Sequence, residues 1–407
     1  MRIMTGSEEL ETDMEWSLTD GSAKRLGRTY DIDGTLWLSY SASGAEWICR
    51  DAECTIRLTG DAMSGDPVHS PRYAIEVNGR RVVNATMPAG GEAVHTVSAA
   101  GETPAEGQDN AAAARENTAE GQDNAAAAGE NTAEGQDNTA AADGAAAEKG
   151  FTVRVLKLSE CADSTLGIAA VVCDTKPEPT EEKVFRVEFV GDSITCGYGV
   201  DGVLGDLYST SNEDATKAYA YLTARELDVD YSLVSFSGYG IISGYTELEV
   251  PRTECLVPDY YKTMGNSYGK FADRVEPSAV PWDFGAFSAD VVVINLGTND
   301  ASYCRDVPKR HRTYIEEYKR FLAEVRACNP IAVILCTLGI MDDRLNGAME
   351  TAVAEYVEES GDADVRTMIF TPQNMEKDGA AVDWHPSAIS HRKAADKLIA
   401  YMRENIF

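Results

Sequence analysis

The sequence predicts an all-β sandwich followed by an α/β domain with a parallel sheet, and three observations carry the prediction. Residues 1–175 hold many short alternating or apolar runs and no long amphipathic helix, the texture of two packed antiparallel sheets. Residues 183–407 alternate buried apolar runs with helical spacings, the texture of strands and covering helices. Between them, residues 176–182 set two prolines among charges and read as a linker. A length of 407 residues gives each domain enough chain for its own core, and 43% hydrophobic residues is a globular composition.

In the first domain the strand-like runs are 35–40, 47–49, 55–58, 73–77, 81–83, 151–158 and 168–172. Asn78 and Gly79 supply the positive φ angles of a tight hairpin turn between two of them. An insertion at about 99–150 interrupts this domain, and in it A-E-G-Q-D-N begins at Ala105, Ala119 and Ala133, a period of 14. Between residues 101 and 150, eleven acids stand against Arg115 and Lys149, and large apolar residues are almost absent. Such a segment cannot bury a core and is expected to be disordered. Its four-alanine runs, bounded by Asn and Gly, are too short to repay helix nucleation.

The second domain reads strand 184–190, helix 216–227, strand 231–236, strand 291–296, helix 314–325, strand 332–338, a short strand 368–370 and a closing helix 389–402. Tyr314, Ile315, Tyr318, Phe321, Leu322 and Val325 recur at helical spacing, and Leu398, Ile399 and Met402 share one face of the last helix.

Chemistry-bearing residues fall at the ends of these strands. G-D-S-I-T-C-G-Y-G, residues 191–199, follows the first strand, so Ser193 stands where a strand ends and backbone N–H groups are free to face an oxyanion. Ser237, Gly238, Tyr239 and Gly240 follow the next strand, and G-T-N-D, residues 297–300, follows the third. Asp383, Trp384, His385, Pro386 and Ser387 precede the last helix. Open α/β sheets build their sites at these edges. Taken alone, G-D-S reads equally as a plain capping turn; the other three stretches make it a nucleophile candidate.

This ordered set resembles the SGNH (GDSL-type) hydrolases over about residues 183–407. The wording of G-D-S-I-T-C-G-Y-G, I-N-L-G-T-N-D and D-W-H-P-S is similar to carbohydrate esterase family two, whose members carry a small β-sandwich ahead of the hydrolase domain. L-G-R-T at 26–29, S-A-S-G-A-E at 41–46 and L-K-L-S-E at 156–160 resemble that family's N-terminal jelly-roll. The resemblance implies a jelly-roll followed by a flavodoxin-like, three-layer hydrolase domain. It implies Ser193 as nucleophile and His385 as base. The oxyanion hole would come from the N–H groups of Ser193 and Gly238 with the Asn299 side chain. The implied substrate is an O-acetylated oligosaccharide of xylo, gluco or manno configuration, with neither metal nor cofactor.

The five histidines are His69, His95, His311, His385 and His391. The first two fall in the sandwich, His311 sits among Lys309, Arg310 and Arg312, and His391 lies in the last helix as a solvated or core-edge imidazole. His385, in a loop, suits a base that leans over from a neighbouring segment. An orienting aspartate usually stands three residues before this histidine in the superfamily, where this chain has Val382; Asp383 stands two before. Either the Asp383 carboxylate or the backbone carbonyl at that position holds the imidazole. Asp192 and Asp300 read as structural acceptors of backbone N–H groups. Trp384, Tyr239, Trp282 and Tyr198 flank the motifs as candidate sugar-stacking surfaces, with core packing the other reading and the favoured one for Trp282.

A formal net charge of −31 argues against nucleic acid or an anionic membrane as partner. No N-terminal apolar region suggests export, and nine cysteines, scattered and odd in number, look like reduced thiols, so the expected compartment is the cytoplasm. Cys49 and Cys54 lack a histidine partner and make a poor zinc site. Two rival readings remain open, a lipid esterase or thioesterase on the same scaffold, and an inert carbohydrate-binding protein.

Overall fold

The computed structural model describes residues 14–103 and 150–407. The 14-residue repeat lies outside the described residues.

The first part is a sandwich of two antiparallel sheets. One contains, in order, Gly101–Thr103, Glu92–Ser98, Glu53–Gly60, Leu166–Val172, Thr35–Leu38 and Thr29–Ile32, with Glu15–Trp16 also on Leu166–Val172. The other runs Glu178–Pro179, Gly44–Cys49, Phe151–Lys157, Arg72–Val77 and Arg80–Thr86, with Lys24–Leu26 on Gly44–Cys49. Part of the stretch read as a linker thus adds a two-residue strand beside Trp47 and Ile48. Asn78 (φ 51°) and Gly79 (φ 76°) turn the hairpin between Val77 and Arg80, as their positive φ requires. Trp47, Ile56, Leu58, Ile75, Val153, Val155 and Ile168 fill the space between the sheets.

Glu53–Gly60 alternates between core and solvent, but every residue of Arg72–Val77 is buried. Its outer face is covered as well, because Ala74, Leu156 and Leu158 join one apolar cluster with Phe189, Tyr219, Leu233 and Leu398 of the second part. The two parts therefore share a core.

The second part is a five-stranded parallel sheet of β1 (Arg186–Gly191), β2 (Asp230–Ser235), β3 (Val291–Asn295), β4 (Val333–Leu338) and β5 (Val365–Ile369), in the order β2-β1-β3-β4-β5. Helices α1 (Tyr219–Leu227) and α4 (Ala388–Asn405) cover one face, and α2 (Pro308–Cys328) and α3 (Asn346–Ser360) cover the other. The three-layer expectation holds. Val187, Phe189 and Val190 of β1 and Val291, Val292, Val293 and Ile294 of β3 are buried, as the apolar positions of strands covered on both faces are. Helix α3 has no counterpart in the sequence reading. It buries Ala348, Met349, Ala352, Val353 and Tyr356, an apolar stripe in which two small alanines weaken the contrast between faces.

The strand order reverses between β1 and β3, which opens a crevice at their carboxyl ends. The nine cysteines are free thiols, and no described helix is long and apolar enough to cross a membrane. His391, expected to be solvated or at the core edge, is fully buried, and its Nδ1 accepts the Tyr219 N–H at 3.2 Å.

Candidate active site

Ser193 opens a single helical turn, Ser193–Cys196, directly after β1. Asp192 caps that turn, its Oδ1 accepting the Ile194 N–H at 3.0 Å. Burial raises the Asp192 carboxyl to about 7. The serine hydroxyl lies 2.7 Å from His385 Nε2, a contact that spans 192 residues of sequence.

The histidine reaches it on a tight turn, Val382–Trp384, whose Asp383 (φ 49°) and Trp384 (φ 65°) both adopt the left-handed region. Such backbone costs on the order of 1–2 kcal/mol per non-glycine residue, so the surroundings must hold it. One hold is a close approach: a Cβ at Gly199 would lie 2.4 Å from Val382 Cβ, so glycine there lets the histidine turn close on the serine turn.

His385 Nδ1 lies 3.1 Å from the Val382 carbonyl oxygen, and the Asp383 carboxylate is elsewhere, accepting the Tyr198 hydroxyl at 2.9 Å. This differs from the expectation of a carboxylate orienter at position 383, while the Asp383 backbone, the other expected orienter, contributes beside the Val382 carbonyl. The physical reason is the left-handed turn, which points the exposed Asp383 side chain away while the carbonyl of Val382 faces the ring. A carbonyl only accepts, so Nδ1 carries the proton and Nε2 offers its lone pair to the serine hydroxyl. Desolvation lowers the imidazole pKa to about 4, keeping the ring neutral over most of the pH range.

The other two stretches converge on the same edge. Asn299 lies in the short helix Thr298–Cys304 after β3, and its Nδ2 donates to the Tyr239 carbonyl at 2.8 Å. The second amide hydrogen has only a long 3.5 Å contact with Asp192 Oδ2. Gly238 takes φ 78° on the loop after β2, and neither its N–H nor that of Ser193 donates to an acceptor among the described residues. Asp300, raised by burial to about 6, gathers the N–H groups of Ile241, Ile242 and Ser243 and fixes the loop beyond. A hydroxyl, a neutral imidazole, two free backbone donors and a weakly engaged amide hydrogen around one crevice are the parts of an acyl-transfer site.

Residues 189–393, half of the chain and all four stretches, match the family model of the GDSL-like lipase/acylhydrolase family. The chain belongs to that family. Over 239 residues it is 34% identical to the cellulase/esterase CelE of Acetivibrio thermocellus, an alignment covering 56% of this chain and 26% of that protein. It is 29% identical over 220 residues to an acetylxylan esterase/glucomannan deacetylase of Cellvibrio japonicus, covering 54% of this chain and 56% of that one. The chain thus spans about a quarter and about half of these two relatives. Its fold is that of an acetyl xylan esterase (Est2A) from the rumen bacterium Butyrivibrio proteoclasticus, with a TM-score of 0.75, 21% identity, and 97% and 98% of the two chains covered. A family two carbohydrate esterase from Clostridium thermocellum in complex with cellohexaose superimposes with a TM-score of 0.70 at 22% identity, with 94% and 99% covered.

The candidate aromatics of this GDSL-like acylhydrolase separate. Tyr198 stacks on Tyr208 at 4.1 Å and leans on the His385 ring at 4.4 Å. Trp384 stands 58% exposed beside it. Tyr239 is buried on Phe236, and its hydroxyl accepts from Asn266 Nδ2 at 2.9 Å. Trp282 is drawn away from the catalytic edge into the cage around Arg28. The sequence reading missed Tyr208 and the Val382 carbonyl. A backbone oxygen leaves no trace in residue type, and Tyr208 lies in a loop remote from every motif.

Proposed function

We propose that this chain is a serine esterase that removes acetyl groups from O-acetylated oligosaccharides through an acyl-enzyme. The 2.7 Å contact between Ser193 Oγ and His385 Nε2 carries the reading. Ser193 attacks the acetyl carbonyl as His385 takes its proton at Nε2. The oxyanion is met by the N–H groups of Ser193 and Gly238 and the spare amide hydrogen of Asn299. On collapse, His385 returns the proton to the departing sugar hydroxyl. Water then attacks the acetyl-serine by the same route and acetate leaves. Val382 supplies the carbonyl that steadies the imidazole, so the machinery is a dyad.

The names of the relatives support an acetylated carbohydrate as substrate, as does Trp384, an exposed aromatic face next to the catalytic histidine. The test is kcat/KM on acetylated xylo-, gluco- and manno-oligosaccharides against an aryl acetate and an aryl octanoate. The sugars should lead, and Trp384→Ala should erode their advantage over aryl acetate by about 1–3 kcal/mol, one lost pocket contact. Faster turnover of the octanoate would favour a lipid esterase, and no turnover of any ester an inert binding protein.

The dyad makes its own prediction. Asp383→Asn should lower kcat less than tenfold, far from the roughly 10⁴-fold loss expected of a triad aspartate. A base works only when neutral, so with its pKa lowered to about 4 the acid limb of kcat/KM should fall well below the ordinary histidine value of 6.5. Asp383 holds the pKa slightly up, so its neutralisation should move that limb to lower pH. A kcat loss near 10⁴ would restore the carboxylate as orienter.

A further inference from the structure

L-K-L-S-E at 156–160 belongs to the sandwich, yet its last residue reaches the catalytic edge. Glu160 Oε2 accepts the Ser237 N–H at 2.7 Å. Ser237 immediately precedes Gly238, so the bond anchors the residue whose own carbonyl carbon begins the peptide bearing the Gly238 N–H. The rest of the loop is held from within the hydrolase part: the Gly238 carbonyl accepts Tyr245 N–H at 2.8 Å, and the Tyr239 carbonyl accepts Asn299 Nδ2 at 2.8 Å. From the sandwich come the Glu160 bond and, beside it, the packing of Tyr40 on Phe236.

Glu160 itself is immobilised. Its N–H donates to Glu213 Oε2 at 2.9 Å, and its carbonyl accepts the buried Lys157 Nζ at 2.7 Å. Tyr208 donates at 2.9 Å to the same Glu213 oxygen and approaches Asp163 at 2.5 Å, and Asp163 also meets His69 Nδ1 at 2.7 Å. Three acids buried together are an expensive arrangement, since each lacks water and two lie beside like groups. A sandwich needs none of them for its own core. The Glu160 carboxyl meets two groups of the catalytic edge, the Ser237 N–H at 2.7 Å and, more weakly, the Cys196 thiol of the turn that carries Ser193 at 3.8 Å.

We propose that Glu160 is a positioning residue for the oxyanion hole, a sandwich side chain that sets the peptide presenting the Gly238 N–H. The proposal rests on the acyl-enzyme reading above. It makes the sandwich a part of the catalytic apparatus, in addition to any role in holding substrate.

The experiment measures kcat and KM on an aryl acetate, with fluorophosphonate labelling located by peptide mass spectrometry. Glu160→Asp keeps the charge and withdraws the carboxylate by one methylene; kcat should fall about 10–100-fold with KM within twofold, somewhat less than outright loss of an oxyanion donor. Glu160→Gln keeps full reach with a weaker acceptor and should recover to a loss of about two- to fivefold. If Glu160→Asp does not fold, the Glu160→Gln loss decides the matter. Unchanged kcat in the folded variants, or a loss confined to KM, overturns the proposal while leaving the acyl-enzyme reading intact. Failure of the wild-type protein to label at Ser193 overturns both.

Discussion

Ser193→Ala is expected to leave the protein folded and to lower kcat by several powers of ten, on the order of 10⁶ where nucleophile and base act as one unit. Ser193 is buried, alanine keeps its Cβ, and the cap of its turn is Asp192, which the substitution leaves alone. The effect should therefore appear in chemistry and hardly at all in melting temperature. Ser193→Ala/His385→Ala should be little worse than either single variant, because each removes the same proton-transfer unit. The residual rate belongs to the oxyanion donors, which remain. The check is kcat on an acetyl ester with each variant matched for folding; labelling of a serine other than Ser193 would dismiss the assignment.

Arg28→Ala is expected to cost about 3–5 kcal/mol of stability, the penalty for leaving a buried carboxylate without its partner. The Arg28 guanidinium is fully buried between the two parts of the molecule, 3.1 Å from Glu188 on β1, and it donates to the Tyr261 and Thr263 carbonyls at 2.5 and 2.9 Å. The rings of Tyr40, Tyr261, Trp282 and Phe284 surround it at 5.2–5.6 Å. Planar and weakly hydrated, a guanidinium tolerates such a cage where an ammonium does not, so Arg28→Lys should also destabilise. Arg28→Met/Glu188→Met should regain a large part of the loss, since it leaves no orphaned charge. Urea midpoints of the three variants test the set. A single-variant cost under about 1 kcal/mol would mean that the apolar cluster alone joins the parts.

Much of the fold was legible in advance because strands and turns are written locally. The run into Gly191, the Asn78-Gly79 turn and the two-faced burial of β3 follow from side-chain period and from φ angles that few residues accept. Helix α3 was not legible, since the alanines on its buried face contribute little contrast between faces. Ser193, Asn299 and His385 could be picked out because each stands at a strand end or loop where a chemically capable side chain has few structural duties. For Asp383 the local signal misled: an acid two residues before a histidine reads as its partner, yet the left-handed turn sends the carboxylate to Tyr198.

By itself the sequence determined the two architectures, their order along the chain, and which side chains could be nucleophile, base and oxyanion donor. Each is a statement about residue type and local spacing. The tertiary structure alone decided that a Val382 carbonyl faces His385, that Arg28 and Glu188 meet between the two parts, and that Glu160 reaches Ser237 across them. These contacts join residues from different elements or use backbone atoms common to every residue. Which groups meet then depends on how strands twist and loops turn in three dimensions, and no local pattern carries that information.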